Sequence, residues 1–171
     1  DFNITPSPSD MKERDEILQN SYNNLIYFGR AFLPNDFLKK SESAPFHYQI
    51  AKELITTKPG ARICNIIPRG HGKSVMAKAA IMHKLCFSKT DEQHFIAWVS
   101  EEQGQAIDHL KYLRSHFENN KMIKYYFGTM DGGSVGKRWT EKDIVTAKGD
   151  RMIAKGTSQR LRGRAEVDVR Y

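Results

Sequence analysis

The segment "IIPRGHGKS", residues 66–74, decides the fold prediction. Two glycines, Gly70 and Gly72, precede an ammonium and a hydroxyl group, Lys73 and Ser74. Glycine allows backbone angles that other residues avoid and lets the backbone approach a ligand closely. A lysine and a serine directly after such glycines suit phosphate oxygens and the Mg²⁺ that accompanies them. The segment therefore predicts a loop that binds the phosphates of a nucleotide.

The segments on either side of this loop agree with that prediction. "ARICNII", residues 61–67, is rich in isoleucine and bounded by Gly60 and Pro68, which predicts a buried β-strand. From Ser74 onward the apolar residues recur at helical spacing, so the helix dipole would point at the bound anion. A strand, a glycine-rich loop and a helix in this order form a P-loop. Only the first glycine of the pattern is missing, because Ile67 stands in its place.

The rest of the chain alternates helical and strand patterns, which predicts an α/β fold with a parallel sheet. Residues 1–13 read as a flexible lead-in before a domain at 14–171. The further elements predicted are a helix at 17–32, a helix starting at Ser43 or Pro45, a strand at 94–100, a helix from Ser100 to Asn120, and a hairpin joining 143–147 to 151–157. The core positions predicted on the helices are Ile50, Leu54, Ile55, Val75, Ala79, Met82, Cys86, Ile107, Leu110 and Phe117.

Composition limits the function classes. The chain has 171 residues, the size of one ordinary domain, and no apolar run near the roughly 20 residues of a membrane span. These features predict a soluble protein without a membrane partner. Cys64 and Cys86 lack metal-ligand spacing and read as small core residues in a reducing compartment. The six histidines show no metal-binding motif either.

The charge is basic and unevenly distributed. Lys and Arg number 27 against 20 Asp and Glu, a net charge of +7, and residues 137–170 carry most of the excess. Such a stretch suits a polyanion through phosphate contacts and counterion release. A solvated basic face that maintains solubility explains the charge equally well.

Four segments in this order resemble the bacteriophage large terminase subunits, the motors that package DNA. "IIPRGHGKS" is similar to their variant P-loop, "FHYQIAKEL" to their adenine motif, and "FIAWVSEEQGQAIDHL" to their second strand and helix. "KRWTEKDIVTAKGDRMIAKGTSQRLRGR" resembles the segment before their Walker B strand, so the resemblance spans most of residues 45–171. It implies an ASCE/RecA-like P-loop NTPase, with a parallel sheet flanked by helices, that hydrolyses ATP to drive double-stranded DNA into a procapsid.

The resemblance also implies roles for single residues. Lys73 would bind the β- and γ-phosphates, Ser74 would hold Mg²⁺, and Arg69 would stabilise the transferring phosphoryl group unless a carboxylate merely pairs with it at the surface. Gln49 would read adenine, while Tyr48 either stacks on the base or packs in the core. Arg162 would reach the nucleotide of a neighbouring subunit, with DNA contact or surface charge as equal alternatives. The other residues expected at the nucleotide are Pro68, Gly70, His71, Gly72 and Val75.

The family pattern is incomplete in this sequence. A Walker B motif has four apolar residues before its carboxylates, and "AEVDVRY", residues 165–171, offers only Val167 and Val169 around Asp168. We therefore expect the chain to bind ATP and Mg²⁺ but to hydrolyse ATP slowly by itself. Family resemblance implies portal protein, small terminase subunit and self-association into a ring as partners, in the cytoplasm of an infected bacterium. A helicase-like ATPase and a non-catalytic basic DNA-binding fragment remain the alternatives.

Overall fold

A computed structural model describes residues 11–37, 42–58, 60–89 and 91–159. Within these ranges the chain forms two compact units, residues 11–87 and residues 88–159. The first unit contains α1 (Met11–Asn23), α2 (Leu25–Phe32), α3 (Pro45–Thr56) and α4 (Lys73–Phe87). The second contains β1 (Phe95–Ser100), α5 (Gln103–Asn119), α6 (Lys121–Phe127), a 3₁₀ turn (Gly133–Val135), β2 (Asp143–Val145) and β3 (Arg151–Gly156).

Two helices replace the single helix predicted at residues 17–32. Asn24 has an extended backbone, and its side-chain oxygen accepts hydrogen bonds from the N–H groups of Ile26 and Tyr27 at 3.0 and 3.1 Å. This N-cap starts α2 and ends α1, because the asparagine side chain competes with the continuous helix for those donors. Helix α1 begins at Met11, three residues inside the predicted lead-in, and residues 1–10 lie outside the described ranges.

The helical unit is held together by the apolar faces of its helices. Phe28 and Phe32 of α2 are fully buried, and the Phe28 ring contacts His83 and Phe87 of α4. Helix α3 starts at Pro45, one of the two predicted positions, where the missing N–H of proline costs nothing. Ile50, Ala79, Met82 and Cys86 are buried as predicted, whereas Leu54, Ile55 and Val75 are only half-buried.

A three-stranded mixed sheet forms the centre of the second unit. Strand β3 lies in the middle, parallel to β1 and antiparallel to β2. The predicted strand at 94–100 and the predicted hairpin are thereby confirmed. Helix α5 starts at Gln103 rather than Ser100, and it packs on the sheet with its buried residues Leu110 and Phe117 inward, Ile107 being half-buried. The architecture is therefore mixed α/β, and the β1–β3 pair is the parallel pairing among the described residues.

The strand predicted at residues 61–67 was wrong. These residues have no regular secondary structure, and Ile66 is 92% exposed. Isoleucine-rich sequence favours a strand only where a neighbouring strand accepts its hydrogen bonds, and no described residue pairs with this segment. Cys64 is exposed for the same reason, against the prediction that it lies in a core, while Cys86 is buried as predicted.

An ion-pair cluster links β2 to β3. Asp143 accepts hydrogen bonds from Arg151 at 3.0 and 2.9 Å and from Arg138 at 2.9 Å. Burial raises the pKa of Asp143, but the two arginines outweigh it and hold the pKa below its ordinary value. A carboxylate of this kind stabilises the folded state above its unfolded-state pKa, and the stabilisation is lost as the pH falls through the folded-state pKa.

We therefore expect Asp143→Asn to destabilise the protein near neutral pH and to matter less in acid. Urea unfolding of both proteins at about pH 6 and about pH 3 measures this difference. The difference between the unfolding free energies of the wild type and Asp143→Asn should be smaller at the lower pH, because the wild-type carboxylate then begins to protonate. A gap of constant size would show that the charge of Asp143 contributes nothing.

Candidate phosphate-binding site

The loop before α4 has the backbone conformation that its glycines permit. Gly70 and Gly72 have φ angles of +81° and +76°, values that favour glycine strongly over residues with a Cβ. Helix α4 starts directly after them at Lys73, and its first turn closes with a hydrogen bond from the Met76 N–H to the Gly72 carbonyl at 2.9 Å. The free N–H groups of this first turn lie at the positive end of a 15-residue helix.

Lys73 folds back onto its own loop. Its ammonium group donates hydrogen bonds to the carbonyl oxygens of Ile67 and Pro68, the latter at 2.8 Å. The side chain is exposed, so the loop holds this charge at the surface and close to the backbone. An anion that binds here offers the ammonium group stronger, charge-assisted partners than the two neutral carbonyls.

Helix α3 contacts the same loop through a histidine. The Nδ1 atom of His47 accepts a hydrogen bond from the N–H of Ala44 at 3.2 Å, and its Nε2 atom lies 3.1 Å from the carbonyl oxygen of His71. His71 in turn uses its Nδ1 to donate to the carbonyl oxygen of Arg69 at 2.9 Å. Sequence reasoning gave His47 no role. The sequence feature that could have indicated this contact is the position of His47 as the third residue of a helix. From that position a side chain can accept a hydrogen bond from the N-cap N–H.

An open pocket of about 560 Å³ brings the predicted adenine residue to the loop. Gln49 lines this pocket, and so do Pro68 and His71 of the loop. The amide nitrogen of Gln49 donates to Glu53 at 3.2 Å, which leaves the amide oxygen free to turn toward a ligand. Tyr48 is 45% exposed and does not belong to the pocket lining, so the prediction that it packs in a core was wrong.

The other predicted site residues divide into three groups. Arg69 and Ser74 are exposed, on the loop and in the first turn of α4. Val75 lines a second pocket of about 190 Å³, together with His47, Gly72 and Met76. Arg162, like Asp168, lies outside the described residues.

A magnesium ion fits this site only if the nucleotide supplies most of its ligands. The described ranges contain no cluster of three or more His, Cys, Asp or Glu side chains that could hold a metal ion. Mg²⁺ commonly keeps several waters and binds through few protein groups together with substrate phosphates. The exposed Ser74 hydroxyl, one residue after Lys73, is the protein ligand that the site offers.

In the described part of the basic stretch, residues 137–159, several basic side chains are already paired within the protein. Arg151 has a side chain only 11% exposed and is bound to Asp143, while Lys148 donates to the carbonyl oxygen of Ser88. Lys137 and Lys142 remain exposed, and Arg138 is half exposed despite its bond to Asp143. Within residues 137–159 a polyanion would therefore meet fewer unpaired basic groups than the sequence suggested.

Comparisons with known proteins suggest no function for this site, so a function has to be inferred from the geometry of the site. Neither the protein-family models, nor the curated proteins, nor the solved structures contain a match to this chain. None of the helices in the described ranges combines the length and the apolar character that a membrane crossing requires.

Proposed function

We propose that this chain is the ATP-binding part of a bacteriophage large terminase, the ATPase that drives double-stranded DNA into a procapsid. One observation carries the proposal. The loop with Gly70 and Gly72 at positive φ leads directly into Lys73 and Ser74 at the start of α4, and the pocket beside it contains Gln49. This is the set of groups that a nucleoside triphosphate with an adenine base requires.

Each group has a task in that proposal. The N–H groups of the loop and of the first turn of α4 bind phosphate oxygens, and Lys73 leaves its two carbonyl partners for the β- and γ-phosphates. Ser74 holds the Mg²⁺ that bridges those phosphates. Arg69 is exposed on the same loop, where its guanidinium group would stabilise the charge on the transferring phosphoryl group.

Double-stranded DNA is the polymer partner in this proposal. The exposed basic side chains of Lys137, Arg138 and Lys142 supply phosphate contacts without reading sequence. The portal protein, the small terminase subunit and further copies of the chain in a ring complete the motor, in the cytoplasm of the infected bacterium. These partners follow from the resemblance of the four sequence segments alone.

Two binding measurements separate this proposal from a non-catalytic basic fragment. A packaging ATPase binds Mg²⁺-ATP and also binds DNA, with a DNA affinity that falls steeply as salt rises. A basic fragment with a vestigial loop binds DNA in the same way but gives no saturable signal with labelled ATP. The second result would refute the proposal.

Gln49→Ala should abolish the preference for ATP over GTP while leaving binding of the triphosphate intact. The substitution deletes only the amide that contacts the base, and the phosphate-binding loop is unchanged. Competition of ATP and GTP against a labelled nucleotide measures the preference. Gln105→Ala, an exposed glutamine of α5, is the matched control and should retain it. A wild-type protein that does not discriminate between ATP and GTP would remove Gln49 from the site.

A further inference from the structure

We propose that His47 is a positioning residue that fixes the phosphate-binding loop to helix α3. Its ring lies between the two elements, with Nδ1 bonded to the N–H of Ala44 and Nε2 at 3.1 Å from the carbonyl oxygen of His71. A Cβ built on Gly72 would lie 3.6 Å from Nε2, so the ring borders the loop at this glycine. The identity of the ligand in this inference rests on the proposed function.

The hydrogen bonds define one tautomer of His47. Nδ1 faces a backbone N–H and must therefore be the acceptor, so the ring proton lies on Nε2. Nε2 can then donate to the carbonyl oxygen of His71. The neutral ring thus satisfies one donor at the start of α3 and one acceptor in the loop at the same time.

Fixing this carbonyl also orients an N–H group of the loop. The carbonyl of His71 and the N–H of Gly72 belong to one planar trans peptide group, in which they point in opposite directions. With the carbonyl directed at α3, the Gly72 N–H is directed away from α3. Gly72 has a positive φ and would otherwise sample many orientations, because glycine is the least restricted residue. His47 therefore preorganises an N–H group next to Lys73 for an anion.

Two substitutions separate this role from helix capping. In His47→Asn the side-chain oxygen takes the place of Nδ1 and keeps the Ala44 contact, but the side chain is too short to reach the loop. In His47→Gln the side-chain amide nitrogen is separated from Cβ by the same number of bonds as Nε2 is in histidine. The amide can therefore donate a hydrogen bond to the carbonyl oxygen of His71. His109→Gln, in the other unit, controls for loss of a histidine ring.

Amide hydrogen exchange of residues 67–74 in the ligand-free full chain is the first measurement. We expect faster exchange in His47→Asn than in the wild type, and recovery in His47→Gln. The second is competition by ATP, GTP and tripolyphosphate. His47→Asn should weaken all three by about three- to tenfold, the effect of one hydrogen bond, with an unchanged ratio of ATP to GTP.

Equal hydrogen-exchange rates of residues 67–74 in the wild type and His47→Asn would overturn the inference. It would also be overturned if these residues exchanged as fast in His47→Gln as in His47→Asn. A changed ratio of ATP to GTP also overturns it, because it would place His47 at the base rather than at the loop. If the wild type binds neither ATP nor tripolyphosphate, the proposed function fails, while hydrogen exchange still decides whether His47 holds the loop.

Discussion

Lys73→Ala is expected to lower the affinity for ATP by more than tenfold. The substitution removes a charge-assisted contact to phosphate worth about 1.5–3 kcal/mol, and every 1.4 kcal/mol is about a factor of ten in the dissociation constant. The loop should keep its shape, because Gly70 and Gly72 and the start of α4 are untouched. Titration of labelled ATP into both proteins measures the difference.

Lys84→Ala is the matched control for this experiment. Lys84 is an exposed lysine in the last turn of the same helix, so its loss changes the net charge equally but at the end of α4 away from the loop. Its ATP affinity should equal that of the wild type. Equal affinities of the Lys73→Ala and wild-type proteins would rule out a P-loop, and an equal loss in both variants would indicate a general charge effect.

Asp150→Ala is expected to destabilise the sheet unit by about 3 kcal/mol, because it removes several hydrogen bonds made by a fully buried side chain. Asp150 is fully buried. Its carboxylate accepts a hydrogen bond from the N–H of His94 at 3.0 Å, just before β1, and from the Thr146 hydroxyl at 3.1 Å, after β2. Alanine leaves these donors without a partner and removes the link between the start of β1 and the β2–β3 turn.

Urea unfolding with and without the substitution measures this effect. Asp91→Ala, an exposed aspartate in the same unit, is the control and should change the unfolding free energy by no more than about 0.5 kcal/mol. A loss below about 1 kcal/mol in Asp150→Ala would mean that the buried carboxylate is not a structural link.

Local sequence patterns predicted helices α3, α4 and α5, strand β1 and the β2–β3 hairpin, but not helix α6. Helix α4 and the β2–β3 hairpin follow from periodicity and turn residues, because their backbone hydrogen bonds join residues close in sequence. The break at Asn24 was missed, because helical spacing continues across it and only the capping side chain reveals the boundary.

The failure at residues 61–67 has a different cause. Strand propensity is realised through pairing, and no strand among the described residues pairs with this segment, so isoleucine content misled the prediction. At the site, spacing alone predicted that Gly70 and Gly72 lie on a loop and that Lys73 follows them directly. The contact from His47 could not be found in this way, because it joins residues 24 positions apart.

Equilibrium titration of Mg²⁺-ATP into the unaltered chain tests directly whether residues 66–74 form a phosphate-binding loop. We expect saturable binding of one nucleotide per chain that tripolyphosphate displaces, because the loop and Lys73 recognise phosphate rather than the base. Absence of saturable ATP binding, or binding that tripolyphosphate cannot displace, would contradict the assignment of residues 66–74 as a phosphate-binding loop.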